Sequence, residues 1–209
     1  MISRKEFDNT IKQKYNVKLI SGSDESGRGC IAGPLVAASV ILKDDYFNSK
    51  IKDSKLLSSK LREQLFDEII NNCLAYQIRI VSAKQVDQLN PLQASLQAIK
   101  QTIQKIKIKP ELALIDGNKN IDLKDYKSIC IIKGDDKSFS ISCASILAKV
   151  TRDKILNELS LKYPMYGFDK HKGYCTQSHL QAVKKYGVIE NVHRKSYKPI
   201  LQILNNSKN

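Results

Sequence analysis

The sequence predicts an α/β protein whose mixed, partly parallel β-sheet is flanked by helices. Apolar segments of strand length alternate along the chain with segments of helical periodicity, the order expected for such a sheet. Three of the predicted strands end in acidic residues, and ligand sites in open α/β sheets gather at strand ends. The last quarter of the chain lacks a strand pattern, so we expect helices and loops there.

The first predicted strands span residues 17–23 and 35–42, and a glycine-rich turn that begins DESGRG joins them. Residues 74–81, LAYQIRIV, alternate apolar and polar side chains with the period of a half-buried strand. Between these strands, Ser59 is expected to cap a helix that continues through residue 70.

The second half of the sheet is predicted downstream of the clearest helix, at residues 90–108. Asn90 suits the cap of this helix, Pro91 suits its first turn, and apolar residues recur on one face. A short buried strand at 111–116 follows, then an apolar strand that begins near residue 128 and a second long helix at 138–160. These elements complete the alternation that predicts the α/β class.

The C-terminal appendage is predicted to contain a helix that Thr176 caps and Gly187 ends. We therefore predict a main domain at residues 1–160 and a helical, substrate-binding appendage at 161–209, both within one compact unit.

The chain is strongly basic, with 35 Lys and Arg against 21 Asp and Glu and a formal net charge of +14. Residues 161–209 hold nine basic and two acidic residues together with six of the fourteen aromatic ones. Cations interleaved with rings suit contact with phosphates and stacking on sugars or bases. We therefore favour nucleic acid as the partner, although charge alone leaves open a merely soluble basic protein.

Cysteine usage and the absence of targeting signals favour a soluble, cytoplasmic protein. The five cysteines are scattered and lack the spacing of a metal finger, so we expect reduced thiols. Residues 1–16 have no apolar core of the kind that signal peptides carry. The longest apolar run, 31–42, contains Pro34 and is too short to span a bilayer.

Carboxylates end three predicted strands: Asp24 with Glu25, then Asp116, then Asp135 with Asp136. A single acid at such a place is usually a solvated turn residue. If strand order brings three such ends together, however, the carboxylates repel one another unless divalent cations lie between them. Hard oxygen ligands favour Mg²⁺ or Mn²⁺, and two such ions about 3.5–4 Å apart suit attack on a phosphodiester. The acids and the basic surface together predict a metal-dependent nuclease.

Two other functions remain open at this point. In a non-catalytic nucleic-acid-binding protein the acids would merely cap strands, and a general metal nuclease would cut without regard to the sugar. The segment Gly27-Arg28-Gly29 also has several interpretations, since it suits a tight turn, a nucleotide phosphate loop or a backbone nest against a sugar-phosphate. It completes neither the dinucleotide nor the Walker pattern, so we favour the nest.

Several segments of the chain resemble type 2 ribonuclease H, the ribonuclease HII family. They are DESGRGCIAGPLVAASV, DSK, LIDG, KGDDKSFSISCASILAKVTRD and YGFDKHKGYCT, and they occur in family order over most of the chain. The resemblance implies a ribonuclease H-like fold and an endonuclease that hydrolyses RNA in RNA/DNA hybrids. It also implies cleavage 5′ to ribonucleotides embedded in duplex DNA, which leaves 3′-OH and 5′-phosphate ends.

The resemblance further implies four acids that hold two Mg²⁺ or Mn²⁺ ions, namely Asp24, Glu25, Asp116 and Asp135. Asp135 follows the glycine of KGD as the family pattern requires, although its neighbour Asp136 leaves the fourth position open. The choice between the two metals in the cell is also left open.

Substrate contacts are implied in the same way. The GRG segment contacts the 2′-OH around an RNA–DNA junction, the tyrosine of HKGY packs on the deoxyribose beyond it, and two motif lysines contact phosphates. In this chain the residues are Gly27, Arg28, Gly29, Tyr174, Lys55 and Lys172.

The remaining expectations concern the histidines and the partners. His171 is interpreted as a structural or phosphate-side residue, and the run His193-Arg194-Lys195 as either a solvated surface or a DNA contact. A monomer is expected from the resemblance, and recruitment by a sliding clamp or a polymerase is left open.

Overall fold

The computed structural model describes residues 3–51 and 57–206. Its strands are β1 (Ile20–Ser26), β2 (Leu35–Leu42), β3 (Cys73–Val81), β4 (Leu112–Asp116) and β5 (Ser128–Ile131). They form one five-stranded sheet in the order β3-β2-β1-β4-β5. Strand β4 lies between β1 and β5 and pairs in parallel with both. The predicted α/β class, with a mixed sheet flanked by helices, is confirmed.

Helices account for most of the remaining described residues. They are α1 (Arg4–Tyr15), α2 (Ser59–Asn71), α3 (Ala83–Leu89), α4 (Pro91–Lys105), α5 (Gly134–Lys137), α6 (Phe139–Lys162), α7 (Phe168–His171), α8 (Gln177–Tyr186) and α9 (Lys198–Asn206), with a 3₁₀ helix at Pro164–Tyr166. None of these described helices is both long and apolar enough to cross a membrane.

Three details differ from the sequence-based expectations. Strand β1 begins at residue 20 rather than 17, so Asp24 and Glu25 lie within the strand and not in the turn after it. The hydroxyl of Ser58, not that of Ser59, caps α2. Helices α1 and α3 were not predicted, although each begins with a capping box, in which a serine side chain and the side chain three residues later bond each other's main chain.

The chain divides into two compact units, of which unit 1 comprises Met1–Ser26, Ala37–Arg79 and Leu96–Val150. A cluster of Ile20, Leu112, Leu114, Ile131 and Ile141 forms part of its core, with side chains of α1 packed against it. These residues come from β1, β4, β5 and α6. Burial of their apolar surface therefore fixes the three strands and the start of α6 against one another.

Unit 2 comprises Gly27–Val36, Ile80–Ser95 and Thr151–Asn209. Ile31, Leu156, Phe168, Val183 and Ile200 belong to its apolar core, so the segment after the GRG loop packs with the C-terminal helices. The expected division into residues 1–160 and 161–209 stays a prediction.

Candidate active site

Asp24 and Asp116 lie beside each other near the ends of two neighbouring parallel strands. Ser23 of β1 pairs with Ile115 of β4, so Asp24 and Asp116 are the next residues along these strands. Asp116 in turn pairs with Ile131, the last residue of β5. Asp24 and Asp116 are therefore neighbours at one edge of the sheet, whereas Asp135 and Asp136 follow the end of β5 and lie in α5.

Asp24 is buried among negative charges. Burial raises the pKa of this carboxyl well above its usual value, and the nearby charges of Glu25 and Asp116 raise it further. Two hydrogen bonds hold the side chain, one from the main-chain N–H of Glu25 to Oδ1 at 2.7 Å and one with the Ser145 hydroxyl. Three carboxylates are therefore close enough to influence one another electrostatically.

Asp135 and Asp136 occupy different environments at the start of α5. Asp135 is buried, and its carbonyl oxygen accepts a 2.7 Å hydrogen bond from the hydroxyl of Ser142. The side chain of Asp136 is 50% exposed, and its Oδ1 lies 3.6 Å from Nη2 of Arg4. Burial and the restrained backbone favour Asp135 as the fourth acid, and its role stays a proposal.

A buried carboxylate that sequence analysis missed, Asp8 of α1, fixes the chain just after these acids. It accepts hydrogen bonds from the Ser138 hydroxyl at 2.6 Å and from the N–H and hydroxyl of Ser140 at 2.8 and 2.7 Å. Burial raises the pKa of Asp8, whereas these hydrogen bonds lower it. The contact joins residues 130 or more positions apart, and nothing in the local sequence around Asp8 indicates it.

The acids fit a divalent cation in chemistry and charge, although they are not a preformed set of ligands. Among residues 3–51 and 57–206, no three His, Cys, Asp or Glu side chains are arranged to hold a metal ion. The donors are nevertheless carboxylate oxygens, which hard cations such as Mg²⁺ prefer. A cation would also relieve the repulsion that raises the pKa of Asp24. Binding would therefore require the carboxylates to draw together.

The GRG loop in unit 2 has a buried first glycine and an exposed remainder. Gly27 has φ +92°, and a Cβ there would lie 2.1 Å from Nε of Arg152, so no other residue fits without movement. Arg28 and Gly29 are exposed. A Cβ at Gly29 would meet no protein atom within 4 Å, so the outer part of the loop is accessible to a ligand.

Two buried arginines bind carbonyl oxygens of the GRG loop, of the segment that follows it and of the loop after α7. Arg152 donates to the carbonyls of Pro34, Ala32 and Lys172 at 2.9, 3.0 and 2.8 Å. No role was predicted for Arg152. Its place four residues after Ala148 and four before Leu156, both buried, was an available signal of burial.

Arg194 is the second of these arginines. It donates to the carbonyl of Gly33 through Nε and Nη2 at 3.1 and 3.0 Å, and to that of Arg28 through Nη1 at 3.1 Å. The hydroxyl of Tyr197 donates to the same Arg28 carbonyl at 2.5 Å. Both interpretations of the run His193-Arg194-Lys195 are therefore wrong for its first two residues, because His193 and Arg194 are buried. Their side chains hydrogen-bond within unit 2.

The other expected substrate contacts lie in or next to the loop after α7. Tyr174 is 43% exposed and follows Gly173, whose carbonyl accepts a 3.0 Å hydrogen bond from the N–H of Ile31. Lys172 is half-buried, and its ammonium bonds Oδ1 of Asn157. Lys55, with the DSK segment, lies outside the described residues. The loop therefore presents an aromatic ring and a cation beside the segment that follows GRG.

Comparison with known proteins decides the family. A family model described as ribonuclease HII matches residues 21–200. The chain belongs to the ribonuclease HII family. It is 66% identical over 203 residues to a ribonuclease HII of Mycoplasma capricolum, covering 97% of this chain and 98% of that protein. A Francisella tularensis ribonuclease HII is 50% identical over 187 residues, covering 90% and 99%.

Solved structures agree with this assignment. Ribonuclease H2 from Pyrococcus horikoshii superposes with a TM-score of 0.78 at 26% identity and covers 91% of this chain and 99% of its own. A complex of PCNA with ribonuclease HII from Archaeoglobus fulgidus gives 0.72 at 26% identity, covering 84% and 92%. The protein is thus a ribonuclease H, a nuclease that acts on nucleic acid. Family membership excludes the non-catalytic alternative, and ribonucleases H depend on divalent metal ions.

Proposed function

We propose that this enzyme hydrolyses RNA in RNA/DNA hybrids and cuts on the 5′ side of ribonucleotides embedded in duplex DNA. The observation that carries the proposal is that Asp24 and Asp116 lie side by side on two paired strands, where the negative charges of Glu25 and Asp116 act on Asp24. Bound there, two Mg²⁺ or Mn²⁺ ions would activate water and stabilise the leaving oxygen, which gives a 3′-OH and a 5′-phosphate. Asp24, Glu25, Asp116 and Asp135 would hold them.

Residues of the chain account for the orientation of these acids. The N–H of Gly134 donates to Oδ1 of Asp116 at 2.7 Å, and Ser145 and the Glu25 amide restrain Asp24. Hydrogen-bonded carboxylates keep a defined direction, so fewer side-chain conformations are lost when they bind a cation. The acids would therefore be oriented, although not fully assembled, before cation and substrate arrive.

Selectivity for the sugar is assigned to unit 2. The exposed backbone at Arg28 and Gly29 would approach a ribose 2′-OH, because no side chain stands in the way at Gly29. The exposed ring of Tyr174 would pack on the deoxyribose that follows the ribonucleotide, where a 2′-OH would clash. Lys172 and Lys55 would contact phosphates.

Three duplexes test the proposal: DNA with one embedded ribonucleotide, a continuous RNA/DNA hybrid, and DNA alone. We expect cleavage of the first two with Mg²⁺ or Mn²⁺, none with EDTA, and none of the third. The embedded substrate should yield a fragment whose 5′-phosphate is on the ribonucleotide. Cutting of all-DNA duplex at a comparable rate would establish the sugar-indifferent alternative, and a cut 3′ to the ribonucleotide would contradict the proposed geometry.

A sliding-clamp contact and a monomeric state belong to the same proposal. The PCNA complex of the Archaeoglobus fulgidus relative supports the clamp contact, which co-elution with a clamp from the same organism would test. Light scattering of the purified protein would establish its oligomeric state.

A further inference from the structure

All three histidines of the chain lie together in unit 2. The rings of His171 and His179 stack with centroids 4.0 Å apart and planes at 14°. Nε2 of His179 lies 3.2 Å from Nε2 of His193, and both of these side chains are buried. Phe168 closes the cluster with an edge contact to His179 at 5.5 Å.

The hydrogen-bond partners fix which nitrogen carries the proton in each buried ring. Nδ1 of His193 accepts the N–H of Ile189 at 2.9 Å, so the proton of the neutral ring is on Nε2. That proton points to Nε2 of His179, which must therefore accept it. The proton of His179 is then on Nδ1, 2.9 Å from the carbonyl oxygen of Tyr174.

Both rings are neutral at neutral pH, because burial lowers the pKa of His179 and of His193 to about 4. The four groups therefore form one directional chain of hydrogen bonds. It runs from the Ile189 amide through His193 and His179 to the carbonyl of Tyr174.

His171 holds the residue just before Tyr174. Nδ1 of His171 accepts the N–H of Gly173 at 3.1 Å, and Nε2 of His171 bonds the carbonyl of Tyr166 at 2.7 Å. The Gly173 carbonyl accepts from the amides of Ile31 and Ala32 at 3.0 and 3.3 Å. Histidines thus bond the amide just before Tyr174 and the carbonyl of Tyr174 itself, while its ring remains exposed.

We propose that His179, with His193 behind it, is a positioning residue that fixes the backbone of Tyr174 and so aims its ring at the sugar next to the ribonucleotide. The proposal rests on the role proposed above for Tyr174. Neither histidine touches substrate, since both are buried. Their effect should therefore be confined to substrates whose cleavage uses the Tyr174 contact.

Two substitutions at His179 separate positioning from simple packing. The amide nitrogen of Asn can stand near the place of Nδ1 and still donate to the Tyr174 carbonyl, whereas Gln places its amide near Nε2 and loses that bond. Both disturb the buried cluster. We expect His179→Gln to slow kcat on the single embedded ribonucleotide by about 10-fold, within the range for losing a stacking contact of the kind proposed for Tyr174. His179→Asn should stay within about 3-fold of the parent.

The continuous hybrid is the matched substrate, because its RNA strand offers no deoxyribose to Tyr174. On it, His179→Gln should cleave at nearly the parental rate. An equal loss on both substrates would show a merely structural role and overturn the proposal. A folded His179→Gln variant that cuts the embedded ribonucleotide as fast as the parent would also overturn the proposal.

Tyr174→Ala distinguishes failure of this inference from failure of the proposed function. If Tyr174→Ala itself cuts the embedded ribonucleotide at the parental rate, the role of Tyr174 is wrong and the positioning role fails with it. If Tyr174→Ala is slow, adding His179→Gln to it should cause little further loss, because the two changes disable one contact. Additive losses would contradict the proposal.

A spectroscopic measurement tests the relay without any substitution. Imidazole ¹⁵N–¹H correlation spectra of the unaltered protein at neutral pH should show His179 protonated at Nδ1 and His193 at Nε2. The opposite pattern at His179 would remove the bond to Tyr174 and overturn the proposal, even if His179→Gln failed to fold.

Discussion

The main-chain N–H of Gly134 donates a 2.7 Å hydrogen bond to Oδ1 of Asp116. This bond ties the end of β4 to the first residue of α5, and Asp135 follows directly. Asp116 also pairs with Ile131 at the end of β5, so the turn between β5 and α5 is held at both ends. These two contacts therefore fix the main chain that carries Asp135 relative to Asp116.

This relationship yields a prediction about which acid of the pair Asp135 and Asp136 is catalytic. Asp135→Asn should lower kcat by more than about 100-fold, since even a residue that only orients a metal ligand is worth about 10–100-fold. Asp136→Asn should change kcat by no more than a few-fold, because its side chain is half-exposed beside Arg4. Steady-state cleavage of the embedded-ribonucleotide duplex by both folded variants makes the comparison. The reverse order of losses would identify Asp136 as the fourth acid.

Asp24 is expected to lower the stability of the metal-free fold while being required for activity. Burial and the charges of Glu25 and Asp116 raise its pKa, so its ionised form is unfavourable in the metal-free fold. Asp24→Asn keeps the volume, removes a metal-ligand charge and relieves this repulsion. Activity should fall by more than about 100-fold. In EDTA, however, Tm should rise by roughly 2–4 °C for each 1 kcal/mol of repulsion relieved. A lower Tm in EDTA would mean that hydrogen bonds to Asp24 outweigh its electrostatic cost.

Alanine substitutions at the two glycines of the GRG loop should have different effects, one on stability and the other on cleavage. Gly27→Ala places a methyl 2.1 Å from Nε of Arg152 in a left-handed conformation, so it should destabilise the fold by about 1–3 kcal/mol. Gly29→Ala meets no protein atom within 4 Å and should change stability by less than about 0.5 kcal/mol. Its methyl would nevertheless stand where the ribose approaches, so cleavage should slow.

Urea unfolding and cleavage of the embedded-ribonucleotide duplex, measured on both glycine variants, check this separation. Gly29→Ala with parental activity would show that the exposed backbone of the loop does not approach the substrate. Gly27→Ala with parental stability would show that Arg152 can move aside at little cost.

Sequence periodicity predicted the sheet and the neighbouring positions of Asp24 and Asp116 near strand ends, because both depend on short-range alternation and on the regular geometry of parallel strands. It missed Asp8, which binds two serines far along the chain, and Arg152 and Arg194, which bind main-chain carbonyls far along the chain. The carbonyls that the arginines bind are present in every residue, so the identities of the partner side chains do not indicate these contacts. The sequence also made His193 and Arg194 seem solvent-exposed, because basic runs usually are.

The histidine cluster predicts how stability depends on pH. Burial lowers the pKa of His179 and His193 to about 4, whereas an unfolded histidine titrates near 6.5. As pH falls below about 6.5 the unfolded chain takes up protons first, so the free energy of unfolding falls until the folded rings also protonate near pH 4. Each ring contributes at most about 3 kcal/mol to this loss, at about 1.36 kcal/mol per pKa unit.

His193→Gln is the control, because it removes one of the two titrating rings and can still donate toward His179. Carboxyl groups also titrate in this range, and the raised pKa of Asp8 acts in the opposite direction. The difference between parent and variant cancels these shared contributions. Urea unfolding of both proteins from pH 7 to pH 4.5 should give a slope that is shallower in the variant by about 1 kcal/mol per pH unit below pH 6. Parallel slopes would mean that His193 takes up its proton equally in the folded and the unfolded state, and would contradict the lowered pKa of the buried ring.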